Sequence, residues 1–202
     1  LMYAPLFALI FAMMSAPVPA PATTPALVFP VSCRIGAECL IQKYVDHDPG
    51  PGRRDYRCGA LTTDGHDGVD IRLRTMADMR AGYAVVAAQA GTVRRVRDGE
   101  PDIGVTGGGG GEGKMAGNAV VIDHGQGWQT QYSHLRQGTV RVRPGQIVAA
   151  GDTLGLIGLS GNSEFPHLHF TVRFRDTAQD PFVRTGVGAP CDALADGSGL
   201  WA

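Results

Sequence analysis

The chain has 202 residues, which is enough for one domain with a substantial core but too few for two domains of ordinary size. Its 18 lysines and arginines nearly balance its 19 acidic residues, so the formal net charge is −1. This balance provides no electrostatic basis for binding nucleic acid or an anionic membrane surface, and neither partner is expected.

The N-terminal residues form an apolar run. Residues 2–14 carry no charge, and a segment rich in proline and alanine follows over residues 15–25. The run has the length of the hydrophobic region of a signal peptide, and Ala20-Pro21-Ala22 resembles a cleavage site. We therefore expect a signal peptide over residues 1–22, an exported protein in the periplasm or outside the cell, and no stable membrane insertion after cleavage. No lysine or arginine precedes the run, and an uncleaved N-terminal anchor is the alternative.

Four cysteines in a chain with an export signal indicate two disulfides. Three pairings are possible. We favour Cys33–Cys39 as a local loop, which leaves Cys58–Cys191 to join the segment before the main domain to the C-terminal tail. No C-x-x-C spacing occurs, so the cysteines are not expected to bind zinc.

Residues 23–60 form an N-terminal segment with little periodicity. Within it, His47 lies between Asp46 and Asp48, a set of residue types that a metal site would use. The prolines and glycines that follow are typical of a solvated loop, which is the interpretation that we favour.

Short β segments separated by glycine turns follow from Thr62 onward. Strands are predicted over residues 84–88, 91–93, 118–123, 128–133, 139–142, 147–149, 153–157 and 168–175, with a brief helical turn over 76–81. Residues 124–127 form a hairpin turn between two of these strands. Because no long amphipathic helix is present, we expect an all-β domain over residues 61–180 and a loop-like tail over residues 181–202.

Residues 94–117 interrupt this pattern and contain five consecutive glycines at 107–111. No phosphate-binding sequence follows the glycines, so nucleotide binding is not expected. The composition predicts a flexible insertion between two strands.

Two histidines share one face of the last predicted strand. Residues i and i+2 of a strand project to the same side, so His167 and His169 lie side by side while Leu168 points into a core. Two imidazoles in this arrangement can share a metal ion, or one can bind metal while the other transfers protons. Two surface histidines on an exposed strand face are the alternative.

Further candidate ligands occur upstream. His66 and Asp70 are four residues apart, with Gly68 between them to allow a close backbone approach, and His134 follows a predicted strand. Each of these three segments is a weak signal by itself, but together, in this order, they form a strong one.

The order H-x-G-x-D, Y-S-H-L and H-L-H-F resembles the lysostaphin and LytM-type zinc endopeptidases, the β-lytic metallopeptidase family. The similarity runs from about Gly65 to Val172 and includes the central hairpin and the strand pair around Gly151-Asp152. It implies the fold of that catalytic domain, an all-β antiparallel sheet with a duplicated hybrid motif of barrel-sandwich type and few or no helices. By position, the resemblance also implies a set of site residues, with one zinc ion held by His66, Asp70 and His169 and with His134 and His167 as catalytic histidines.

The chemistry of the residues agrees with a catalytic metal site. Three protein ligands leave zinc a fourth coordination position, which is typical of catalytic rather than structural zinc. No H-E-x-x-H motif supplies a glutamate base, so His134 and His167 are the candidates for activating water and stabilising the oxyanion, in either assignment. Glu164 is a weaker candidate, and His124 is expected to be structural.

The resemblance implies a zinc metalloendopeptidase that hydrolyses stem or cross-link peptides of peptidoglycan. The sequence carries no signal for the oligomeric state, and because nothing argues against a monomer, a monomer is expected. The alternative is a non-catalytic relative that binds cell wall or activates another hydrolase, although all five site positions are present. A lipoyl- or biotinyl-type carrier is disfavoured because Lys43 and Lys114 both lie away from the predicted hairpin tip. The sequence departs from the family at residues 163–166, which precede the histidine pair, and the insertion is also unusual; both features affect the expected substrate groove.

Overall fold

The computed structural model describes residues 24–183, 188 and 199–202. Within them the chain forms ten strands, one α-helix and one turn of 3-10 helix at Val105–Gly107. The elements in chain order are β1 (Cys39–Lys43), β2 (Val69–Leu73), α1 (Met76–Ala81), β3 (Ala84–Val86), β4 (Gly91–Arg97), β5 (Asn118–Gly125), β6 (Trp128–Leu135), β7 (Ile147–Val148), β8 (Thr153–Leu156), β9 (His167–Phe174) and β10 (Thr177–Gln179). The predicted all-β fold and the predicted helical turn are confirmed.

One large antiparallel sheet contains most of the strands, in the order β1-β2-β9-β6-β5-β4-β7, with β10 paired to β9. Strands β3 and β8 form a second, two-stranded sheet. The register places Lys43 opposite Asp70, Asp70 opposite His169, and His169 opposite Ser133. Directly opposed residues project to the same face of a sheet, so four strands present one polar row.

Strand β9 shows how the sequence divides the two faces of this sheet. Leu168, Phe170 and Val172 are almost completely buried in the hydrophobic core, and each such side chain contributes about 1.5–3 kcal/mol of stability. His167 and His169, which alternate with them, project to the opposite face, as the period of two requires. The core therefore fixes the orientation of the histidine pair.

The predicted strand over residues 139–142 is wrong. Arg141 N donates to the Leu154 carbonyl, but the N–H of Leu156 bonds to the Thr139 side-chain hydroxyl. A side chain thus replaces part of the backbone ladder, and this segment runs beside β8 without becoming a strand.

The N-terminal segment is integrated into the sheet through β1. The Cys33–Cys39 disulfide is present, and Cys39, the first residue of β1, is fully buried. The ring of Tyr44, directly after β1, packs against Tyr56 and Phe182 at centroid distances of 5.0 and 5.1 Å. This segment is thereby attached to the end of the main β domain.

Two predictions fall outside the described residues. Cys191 and residues 1–22 are not among the residues that the structure describes. The pairing Cys58–Cys191 and the signal peptide over residues 1–22 therefore stay predictions. None of the helices in the described ranges has the length and apolar character needed to cross a membrane.

The glycine-rich insertion is held against the loop that precedes β9. Strand β4 continues to Arg97, so the segment without strands covers residues 98–117. Within it, Val105 N donates to the Ser163 carbonyl at 3.0 Å, and the Met115 carbonyl accepts from Asn162 N at 2.8 Å. The sequence predicts a flexible insertion here, whereas these backbone hydrogen bonds make the segment a wall beside the histidine pair.

Candidate active site

Three side chains converge on the polar row of the sheet. Asp70 Oδ1 lies 3.1 Å from His66 Nε2 and 2.9 Å from His169 Nδ1. The potential ligand atoms of the three residues all lie within 4.8 Å of one another, and the described part of the chain contains no second cluster of this kind. The three residues that were expected to bind zinc are thus brought together.

The orientation of His66 depends on the N-terminal segment. His66 lies in the turn before β2, and its Nδ1 is 2.7 Å from the Tyr44 carbonyl. Because a carbonyl only accepts, Nδ1 carries the proton and Nε2 presents a lone pair. This Nε2 is buried without a hydrogen-bond donor and faces an oxygen of Asp70. Two acceptors that face each other in this way are suited to a shared cation.

His169 is held from both sides. Its Nε2 lies 3.1 Å from Asp67 Oδ1 and 3.0 Å from Thr171 Oγ1, and Asp67 in turn accepts from Arg173 at 2.8 Å. Burial lowers the pKa of His169, but its hydrogen bonds to Asp67 and Asp70 outweigh burial and raise the pKa to about 9. A carboxylate on the far nitrogen is a common support for a metal-binding histidine.

Asp70 is held in its ionised form. Burial alone would raise its pKa, but the hydrogen bond from His169 lowers the pKa well below the ordinary value. A carboxylate must be ionised to bind a metal, so this environment favours the ligand form.

Gly68 allows β2 to approach His169. A Cβ atom at this position would lie 2.7 Å from His169 Nε2 and 2.7 Å from the Phe170 carbonyl. We expect Gly68→Ala to displace the imidazole and weaken zinc binding by about 10- to 100-fold, as loss of a supporting contact does. Competition with a chelator of known affinity measures this, with Gly111→Ala as the control because a Cβ there meets nothing within 4 Å. Unchanged zinc affinity in Gly68→Ala would contradict the prediction.

Two further histidines lie beside the cluster. The ring centroids of His134 and His167 are 4.6 Å apart, and His134 is 6.0 Å from His169. Nδ1 of His134 is 2.8 Å from the Ser160 carbonyl and Nδ1 of His167 is 2.9 Å from the Phe165 carbonyl. Each Nδ1 therefore carries the proton, which leaves each Nε2 as a lone pair.

Both of these histidines are neutral near pH 7. Burial lowers the pKa of His134 to about 3, with a further contribution from the neighbouring His167. Burial also lowers the pKa of His167, and Asp70 only partly opposes this shift. Neutral imidazoles with a lone pair on Nε2 can act as proton acceptors.

The backbone at His134 has an unusual conformation. Its φ is +62°, in the left-handed region that a non-glycine residue rarely adopts. The N–H of His134 donates to the Ala116 carbonyl at 2.9 Å, and the Gly158 N–H donates to the His134 carbonyl at 3.0 Å. The insertion and the loop before β9 thus hold this residue from two sides, which allows the strained backbone conformation to persist.

All five predicted site residues line one cavity of about 420 Å³. Lys43 on β1 and Met115 in the insertion contribute to its walls, and Glu164 and Phe165 come from the loop before β9. The sequence interpretation missed Lys43, Arg173 and Asp67. Asp67 had a visible signal, since it is an acidic residue inside the H-x-G-x-D motif.

The two remaining histidines lie outside the cluster. His124 contacts the Ala90 carbonyl at 2.9 Å and Thr130 Oγ1 at 2.8 Å, which is the structural role expected for it. His47 was expected in a solvated loop, and this expectation is wrong. It is fully buried and pairs with Asp180 at 2.9 Å, because its segment folds onto the end of the β domain.

The arrangement can be compared with known proteins. A profile described as peptidase family M23 matches residues 64–181, which include all five site residues. The chain belongs to peptidase family M23. Members of this family are zinc metallopeptidases, and the cluster of His66, Asp70 and His169 is a possible metal site of this M23 chain.

Similar proteins occur among curated relatives and solved structures. An uncharacterized metalloprotease of Haemophilus influenzae is 32% identical over 133 residues, which is 66% of this chain and 23% of that protein. Peptidoglycan DD-endopeptidase ShyB of Vibrio cholerae is 40% identical over 65 residues, 32% of this chain and 15% of that protein. A zinc-containing peptidase from Vibrio cholerae has a TM-score of 0.53 at 27% identity, over 78% of this chain and 39% of that chain. The chain thus spans less than a quarter of the length of these two curated relatives.

The M23 match begins after the N-terminal segment. Tyr44, whose carbonyl orients His66, and Lys43, which lines the cavity, both precede residue 64. Part of the environment of this M23 site therefore comes from residues outside the matched region.

Proposed function

We propose that the chain is an exported zinc metalloendopeptidase that hydrolyses peptide bonds in the stem or cross-link peptides of peptidoglycan. The observation that supports this most strongly is the convergence of His66, Asp70 and His169 beside the neutral His134 and His167 in one cavity. The substrate class is supported by ShyB, which is by name a peptidoglycan DD-endopeptidase.

The donor set fits zinc. Two imidazole nitrogens and one carboxylate oxygen form a three-ligand set of the kind found in catalytic zinc sites. The orphaned Nε2 of His66 and the low pKa of Asp70 both favour a cation between them. His66, Asp70 and His169 would hold one zinc ion, which would polarise the scissile carbonyl and lower the pKa of the attacking water.

His134 and His167 carry out the proton transfers in this proposal. Each keeps Nδ1–H on a backbone carbonyl, which fixes the tautomer and orients Nε2 as a base. One ring accepts the proton of the attacking water at Nε2 and, once protonated, donates it to the departing amine. The other ring would stabilise the oxyanion of the tetrahedral intermediate only when it is itself protonated at Nε2, because its neutral form presents a lone pair there. The two assignments are equivalent by the present geometry.

Asp67 and Arg173 keep His169 in its binding orientation. Arg173 donates to Asp67 at 2.8 Å, and Asp67 accepts from His169 Nε2. Burial opposes ionisation of Asp67, but its hydrogen bond to His169 dominates and lowers its pKa to about 2. The ionised Asp67 thus directs Nδ1 of His169 towards Asp70.

The proposal is tested by two measurements on the purified chain. Elemental analysis should find about one zinc per chain, as three protein ligands allow. Purified peptidoglycan should release soluble muropeptides whose new termini correspond to peptide-bond cleavage, and a chelator should stop the release until zinc is added back. Absence of zinc and of release, even after zinc is added, would refute the enzyme and favour a non-catalytic relative that binds cell wall.

A further inference from the structure

Lys43 is a cation beside the catalytic cluster that the proposed proton transfers do not use. It is the last residue of β1 and lies opposite Asp70 in the register of the sheet. Its Nζ is 3.9 Å from Asp70 Oδ2, its side chain is 32% exposed, and it lines the cavity. A separation of 3.9 Å is an ion pair without a hydrogen bond, so the donors of the ammonium remain available to another acceptor.

The two oxygens of Asp70 face different groups. Oδ1 lies 3.1 Å from His66 and 2.9 Å from His169, whereas Oδ2 lies towards Lys43. Lys43 therefore flanks the cluster on the β1 side. Strand β6, which ends in His134 and Leu135, is three strands away, or about 14 Å by the usual strand spacing. The ammonium marks one flank of the groove in which a substrate would lie.

The other charged side chains of the cavity pair with each other, belong to the metal cluster or lie on the loop before β9. Arg173 and Asp67 form a hydrogen-bonded pair at 2.8 Å, and Asp70 belongs to the metal cluster. Glu164 is on the loop before β9. Among the described residues that line the cavity, Lys43 is thus the cation that lacks a hydrogen-bonded carboxylate.

We propose that Lys43 determines specificity by binding a carboxylate of the substrate close to the scissile bond. This inference rests on the proposed peptidase function. In the proposed function the scissile carbonyl would lie at the zinc held by Asp70, and Lys43 Nζ is only 3.9 Å from Asp70 Oδ2. Because one extended residue spans about 3.3 Å, the carboxylate belongs to a residue next to the scissile bond or one residue further. A C-terminal carboxylate and an acidic side chain both present this chemistry.

The test compares the intact chain with Lys43→Met on two pairs of synthetic stem peptides. Each pair consists of an acid and its amide. In one pair the amide has a carboxamide in place of the C-terminal carboxylate, and in the other pair the amide has an amidated acidic side chain. A charge-assisted hydrogen bond predicts a preference of the wild-type chain for the acid over the amide of about 10- to 100-fold in kcat/KM, mostly through KM. Lys43→Met should lose this preference on one pair, which identifies the source of the carboxylate, and Lys43→Arg should keep most of it.

Lys114→Met is the matched control. Lys114 is the second of the two lysines, pairs with Glu100 at 3.1 Å and does not line the cavity. It should keep the wild-type preference on both pairs. Zinc content and thermal unfolding of each variant establish that the fold is retained.

Two results would overturn the inference: equal cleavage of acid and amide by the wild-type chain, or the same preference in Lys43→Met as in wild type. If the wild-type chain cleaves none of the four peptides, the proposed function fails for them, and binding decides the role of Lys43. The Kd of each intact peptide is then measured by calorimetry on the zinc-supplemented chain. A preference for acids that disappears in Lys43→Met supports the inference, and equal Kd values refute it.

Discussion

Replacing His169 with alanine is expected to remove zinc from the protein and to reduce peptide hydrolysis to background. Nδ1 of His169 lies 2.9 Å from Asp70 Oδ1, and its ring centroid is 5.0 Å from that of His66. The substitution removes one of three donors and leaves Asp67 and Asp70 without the group that lowers their pKa values. Loss of a direct ligand should weaken zinc binding by more than the roughly 10- to 100-fold that loss of a supporting contact costs.

Elemental analysis and muropeptide release measure this effect on the same preparation. His66→Ala should behave like His169→Ala because it removes another member of the same cluster. His124→Gln is the control, since its ring nitrogens contact the Ala90 carbonyl and Thr130 Oγ1 and the residue lies outside the cluster, and it should keep zinc and activity. A His169→Ala protein with stoichiometric zinc would refute the proposed ligand set.

Most central strands, with the exception of β2, could be predicted from sequence because each alternates between two distinct environments. In β9, the apolar Leu168 and Phe170 face the core while the histidines that alternate with them face the groove. Strand β1 was not predicted, because it lies at the edge of the sheet and all its residues after Cys39 have intermediate burial. Without a fully buried face, it has no period of two to detect. Strand β10 follows a turn at Arg175 and Asp176, both with positive φ, and no glycine marks that turn.

The candidate ligands could be predicted because histidine and aspartate carry their chemistry in the side chain and recur at motif spacings. The groups that orient these ligands could not be predicted from the sequence. His66 is oriented by the carbonyl of Tyr44, and His167 by the carbonyl of Phe165. Every residue has a backbone carbonyl, so the sequence contains no signal for which one will accept a hydrogen bond. The burial of His47 was missed for a related reason, because its partner, Asp180, is 133 residues away.

His134→Ala is expected to keep zinc and lose peptide hydrolysis by about 10²- to 10⁴-fold, the usual contribution of a positioned acid or base. Its ring lies 6.0 Å from His169 and is not one of the three groups in the cluster. Burial, reinforced by His167, lowers its pKa to about 3, which keeps Nε2 available as a base. The measurement is kcat/KM on a soluble muropeptide, with zinc content determined on the same sample.

The double variant His134→Ala, His167→Ala tests whether the two histidines act in the same catalytic step or in two independent steps. The two rings are 4.6 Å apart, and if both act in the same transition state, the loss in the double variant should be much smaller than the product of the single losses. Loss of zinc in His134→Ala would instead make this residue a ligand. Full hydrolysis with zinc retained would exclude it from the chemistry and move the base to His167 or Glu164, the other candidates in the cavity. The zinc content and the rate together therefore distinguish a ligand from a base.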